Sequence, residues 1–249
     1  MFLNISLQNN NDYFNPLSKR GSKGVYFYRY IGYEDETLIF FKRYQESAER
    51  KGIYFKENIK NPSDEEVKKC LSIIDGNFQL NMNYISRNSN LLIGSVGTTI
   101  VNLLNEAIFE ALNNLQKSGS NMSILKNAYI KFMCWSNRYQ YLLRDLCKDE
   151  VPKILYEGEI TKYEIYMLQI FSLIGCDIVF INYNNDDSFA KYDVHSKVIY
   201  GSKKGEPKVH FSKIDLKRIE SEAVINKELE KVNNKLVTNS WIKEDDDIF

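Results

Sequence analysis

The sequence is poor in proline, histidine and paired cysteine, and it carries no net charge. Four prolines beside 17 tyrosines and 14 phenylalanines in 249 residues exclude a proline-rich disordered chain and indicate a packed globular one. That length suits one large domain or two ordinary ones. The only histidines are His195 and His210. The four cysteines (Cys70, Cys134, Cys147, Cys176) are scattered, with no CxxC pair. They read as reduced core thiols, and no His/Cys cluster completes a metal site. No apolar run approaches the ~18 residues of a membrane span. The N-terminus, MFLNISLQNNNDYF, lacks the basic start and sustained apolar run of a signal peptide. A cytoplasmic protein without a membrane partner is expected. Lys+Arg and Asp+Glu stand at 33 each and are interleaved, so no nucleic-acid face is expected either. GxSxG, HExxH, Walker A and kinase motifs are all absent, and no pattern names a cofactor.

What is present centres on Pro152–Asn182, PKILYEGEITKYEIYMLQIFSLIGCDIVFIN. About thirty residues of strand, loop, helix and strand make one βαβ unit. Lys153–Tyr156 and Asp177–Ile181 are short runs of β-branched and aromatic residues, as parallel strands buried on both faces require. Thr161 and Glu164 form a capping box, and Gly175 sits where the helix must end left-handed. The helix between is apolar around most of its circumference, so another layer must cover its far side.

Earlier in the chain, Pro16–Gly24 combines glycines with Lys19, Arg20 and Lys23 but lacks the spacing of a phosphate loop, and reads as solvated. Val25–Ile31 alternates like a strand, Asp35–Lys51 is helical, and Ile53–Phe55 fits a short strand. A helix starting near Asn61 runs to about Ile74. Gln79–Leu92, polar with isolated apolar residues, reads mostly as loop. Ile100, Leu103, Leu104, Ala107, Ile108, Ala111, Leu112 and Leu115 then fall at helical spacing, and a second stripe runs from Leu125 to Leu146. The Ser118–Asn121 break between them predicts an antiparallel pair. Val194–Tyr200 and Pro207–Phe211 suggest a hairpin or two edge segments, and Ile214–Val232 a charged amphipathic helix.

In open parallel sheets, ligands bind beyond the carboxyl ends of strands. Here those positions are Glu157, Gly158, Glu159, Ile160 and Thr161, then Asn182, Asn184, Asp186 and Asp187. A bare pyrophosphate would face Glu157, Glu159 and Glu164. Each like-charge pair costs about 4 kcal/mol at ~4 Å and an effective dielectric near 20. Hydroxyl-rich ligands fit better, since carboxylates and amides form directed hydrogen bonds to them. The competing account is that Glu159 and Glu164 only complement the helix dipole. Arg138, off the apolar stripe, is able to present a bidentate fork to an anion. Cys134 has no histidine near in sequence to activate it, and burial would raise its pKa. Asp193 and His195 lack further ligands for a metal.

Three blocks carry a family resemblance: Lys131–Tyr139 (KFMCWSNRY), Val151–Glu164 (VPKILYEGEITKYE) and Gly175–Asn182 (GCDIVFIN). Together they resemble the bacterial YceG-like family. Pro16–Arg20, Arg29 with Gly32, Asn239–Trp241 and Asp247–Phe249 also match family positions. The resemblance implies a component of a biosynthetic module carried with tellurite and toxic-anion stress-resistance operons, with other proteins of the module as partners. It further implies an N-terminal portion or a shortened relative.

The combined expectation is an α/β fold: a mostly helical region, 1–150, packed on a small, mainly parallel Rossmann-like sheet in 151–249, as two domains or one. The expected function is binding of a sugar- or nucleotide-type metabolite, by an enzyme or by half of a transferase. Glu159 would serve as general base, with Gly158, Thr161, Glu164, Asn182 and Asp187 at the ligand and Arg138 as a further contact. The alternative is a non-catalytic scaffold that docks other proteins.

Overall fold

The computed structural model describes residues 1–21, 24–74, 77–93, 96–185, 187–193, 195–219 and 221. Among them, five parallel strands form the central sheet. They are β3 (Phe27–Ile31), β4 (Gly52–Phe55), β5 (Lys153–Glu157), β6 (Asp177–Asn182) and β7 (Lys197–Tyr200), in the order β4-β5-β6-β3-β7. Short β1 (Leu3–Asn4) and β2 (Gly24–Val25) pair parallel beside it. The expected βαβ unit is present, with Lys153 opposite Asp177 and Glu157 opposite Ile181. The sheet draws on both halves of the chain, since β3 and β4 precede residue 60.

Strand residues alternate between two cores. Ile154, Tyr156, Ile178 and Phe180 face one side, Leu155, Val179 and Ile181 the other. The first side carries α7 (Lys162–Ile174), in which every residue from Glu164 to Ile174 is buried. Its far side is covered by α4 (Thr98–Lys117) and by α8 (Asp187–Tyr192). Behind these lie α2 (Asp64–Ile73), α3 (Met82–Ile93), α5 (Met122–Arg138) and α6 (Gln140–Leu143). The helical layer demanded by an all-round apolar helix is therefore in place. The second side is covered by α1 (Asp35–Arg50), whose Phe40, Phe41 and Tyr44 join Tyr13 and Tyr30 in an aromatic cluster. Because α1 and α8 lie on opposite faces, the loops leaving β3 and β6 diverge, which makes a switch point between those neighbours.

The capping box at Thr161 and Glu164 forms, and α7 ends in a Schellman turn: Cys176 N–H donates to Phe171 O and Gly175 N–H to Ser172 O. Four expectations change. Residues 82–93 are helical: Asn88 and Ser89, both buried, bond back to the carbonyls of Tyr84 and Ile85 and complete a stripe that hydropathy alone hides. Helix α2 starts at Asp64 rather than near Asn61, capped by Ser63, whose hydroxyl accepts from Glu66 N–H. Of the two late segments only Lys197–Tyr200 is a strand, and Phe211 starts a 3-10 turn. Arg20, read as solvated, is buried. The helix expected over Ile214–Val232 falls largely outside the described residues, as do Asp186 and the tail Asn239–Phe249.

Arg20 is drawn inside by Asp177, the first residue of β6 and fully buried. Arg20 Nη1 donates to both Asp177 oxygens at 2.6 and 2.8 Å, and Tyr26 N–H donates to Oδ1 at 3.0 Å. Lys153 Nζ lies 3.9 Å from Oδ2. The remaining guanidinium groups bond to the carbonyls of Tyr13 and Asn15. Removing one partner leaves a buried charge alone, so Asp177→Asn is expected to cost about 3–5 kcal/mol by denaturant unfolding. The double change Arg20→Met/Asp177→Leu should recover only part of that loss, because Lys153 and the Tyr26 N–H are then left without Asp177.

Candidate functional site

The carboxyl ends of β4, β5 and β6 open together, and the chain after β7 decides what remains accessible there. Gly201 N–H donates to Ile31 O, Tyr33 and Lys203 exchange backbone bonds at 3.0 and 3.1 Å, and Gly205 N–H reaches Tyr183 O. This crossing presses so close that a Cβ on Gly201 would stand 2.2 Å from Tyr33 N. The segment thus closes the crevice between β3 and β6. It also delivers His210 to the end of β5.

There Glu157, the last residue of β5, is the floor of a cleft of about 330 Å³ lined by Tyr54, Lys56, Gly158, Tyr183, Glu206 and His210. Three donors hold its carboxylate. Tyr54 donates to Oε2, Tyr183 donates to Oε1 at 3.0 Å, and His210 Nε2 lies 2.6 Å from Oε1. Ser212 N–H donates to His210 Nδ1 at 3.2 Å, which assigns the proton to Nε2 in the neutral ring. Burial first, and then the Glu157 charge, push the Tyr54 and Tyr183 hydroxyls far above the ordinary phenol value, so both remain donors. A carboxylate offers about four lone-pair sites, so one remains for a ligand proton. No group of three or more His, Cys, Asp or Glu side chains suited to a metal occurs among the described residues.

The residues singled out from sequence fall into three places. Gly158, Glu159 and Asn182 come together at the strand ends. Gly158 has φ +101 with open space where a Cβ would point. Glu159 is exposed, and its Oε1 accepts from Asn182 Nδ2 at 3.3 Å. Asn182 Oδ1 accepts the N–H groups of Asn184 and Asn185, which sets the turn after β6. Asp187 opens α8 and is exposed. Glu164 belongs to the interior, and Thr161, itself exposed, caps α7 against it. Glu164, 2 % exposed, accepts from Ile59 N–H, Asn58 Nδ2, Tyr156 OH, and both the N–H and hydroxyl of Thr161. It pins the loop after β4 to the start of α7. Arg138 is engaged elsewhere, with Nε and Nη2 on Glu66 at 2.8 and 2.5 Å and further bonds to the carbonyls of Lys60 and Asn61.

Glu157 itself was legible as a strand-end position. Tyr54, Tyr183 and His210 were not, since they stand 103, 26 and 53 residues from it. The Arg138 guanidinium holds the Glu66 carboxyl down to about 2, from an ordinary 4.5. A depressed folded pKa stabilises above the unfolded value and fails as pH falls through the folded one. Glu66→Gln should therefore cost about 1–2 kcal/mol at neutral pH, discounted for the pair's partial exposure. The gap to the unsubstituted protein should close between about pH 4.5 and pH 2 in urea melts.

No curated protein and no solved structure matches the chain. The YceG domain matches residues 8–234, which takes in both cores, the whole sheet and every residue of the Glu157 cleft. The chain belongs to the YceG-domain family.

Proposed function

We propose that the cleft over β5 and β6 binds a hydroxyl-rich metabolite of sugar or nucleotide type, and that Glu157, oriented by His210, accepts a proton there. The observation that carries this reading is a carboxylate at a strand end, fixed by two phenols and an imidazole on the floor of an open cleft. Such a group accepts a ligand hydroxyl in a set direction and can take its proton, while the imidazole Nε2–H beside it holds the carboxylate in place. Glu159 and Asn182 serve the rim as a second acceptor and its support. Family membership favours a bacterial stress-resistance module of the tellurite or toxic-anion type as the setting. In it the chain acts in the cytoplasm, beside other proteins of the module, as an enzyme or as half of a transferase.

A second reading has its own support. Pro62, Val67, Leu71 and Ile130 line an apolar groove between α2 and α5, and Leu71 is 44 % exposed. A scaffold would use that face to dock a partner.

Thermal-shift measurements against sugars, nucleotides and nucleotide sugars separate the two. Sugar-bearing ligands that raise the melting temperature should lose most of their effect in Glu157→Gln and keep most of it in Glu159→Gln. A panel in which nothing shifts the transition, while Leu71→Glu abolishes co-purification of a protein partner, removes the metabolite reading in favour of the scaffold.

A further inference from the structure

The Glu157 cleft does not stand alone. A second cleft of about 590 Å³ runs along the outer edge of β4, and Tyr54 and Lys56 line both. The two differ in chemistry. The apolar part of the edge cleft is lined by Ile53, Phe55 and Tyr139, and Tyr54 borders both clefts. Tyr139 is already set edge-on to Phe55 at 5.6 Å, so the wall is preformed. The Glu157 cleft offers acceptors and hydroxyls. Both volumes lie in the range of small-molecule sites.

At the junction stands Lys56, the residue after β4. Its Nζ rides 5.2 Å from the Tyr54 ring centroid, it is exposed, and it forms no ion pair among the described residues. Lys60 and Arg138 line the edge cleft as well, Arg138 already paired with Glu66. Glu57 lines the edge cleft and Glu206 the Glu157 cleft, whereas Lys56 lines both. The start of α7, where a phosphate would ordinarily be sought, has its N-terminal amide at Thr161 taken by Glu164. Lys56 is the lysine shared by both clefts.

We propose that the two clefts form one groove for a ligand of three parts: a flat ring against the β4 edge, an anionic link at Lys56, and hydroxyls at Glu157. A nucleoside diphosphate joined to a sugar is the ligand class with those parts in that order. The proposal rests on the metabolite-binding reading of the Glu157 cleft and assigns its other half.

Isothermal titration calorimetry with uridine diphosphate, adenosine diphosphate, their glucose conjugates and free glucose tests it. At least one diphosphate should bind without its sugar, and bind more weakly as salt rises. Lys56→Gln should weaken that binding about tenfold, what one charge-assisted hydrogen bond supplies, and Lys56→Glu more. Both substitutions are at an exposed side chain, so the fold is kept. Glu157→Gln should affect the glucose conjugates and leave the bare diphosphates unchanged. If glucose binds and no diphosphate does, the groove is overturned while the Glu157 reading stands. If neither binds, both fall. If a diphosphate binds with equal affinity in Lys56→Glu, the anion lies elsewhere and the groove is overturned.

Discussion

A single carboxylate without access to water sets the frame of the molecule. Asp177 gathers Arg20, Lys153 and the amide of Tyr26 at the amino ends of three adjacent strands. An ion held this way has no tolerable alternative pairing, because any slip would strand it in the core. Register follows from it: Lys153 stands opposite Asp177 and Phe27 opposite Ile178. Four residues later the same register places Glu157 beside Ile181 and Ile31 beside Asn182. The geometry of the cleft is thus fixed at the end of the sheet remote from it.

Charge is segregated at the functional end in a way the residue count conceals. Of the acidic residues clustered around the start of α7, Glu164 faces inward and is fully engaged by donors, whereas Glu157 is held open to the cleft. Net neutrality of the chain says nothing about this division. It arises because a helix-capping carboxylate and a strand-end carboxylate have different backbone partners, although seven residues separate them in sequence.

The parts of the fold legible in the sequence are those whose signal is local. The βαβ unit, the capping box and the apolar stripe of α4 each depend on spacing within one element, and each appears as read. Helix α3 escaped because two of its buried positions, Asn88 and Ser89, satisfy their polar atoms within the helix itself. Arg20 escaped because its partner lies 157 residues away. The site divides in the same manner. Glu157, Gly158 and Asn182 are strand-end positions that periodicity locates, whereas His210 reaches Glu157 only through a chain crossing whose pairings at Tyr33 and Tyr183 leave no pattern in its own residues.

That crossing has a consequence for the order of assembly during translation. Glu157 leaves the ribosome 53 residues before His210, and the sheet beneath it needs β7 and the Gly201–Gly205 crossing before the imidazole has a place to go. Elements emerging first begin to fold first. The nascent protein therefore passes through a stage in which the carboxylate has its tyrosines but not its histidine. The cleft is completed last, as the crossing seats His210 beside Glu157.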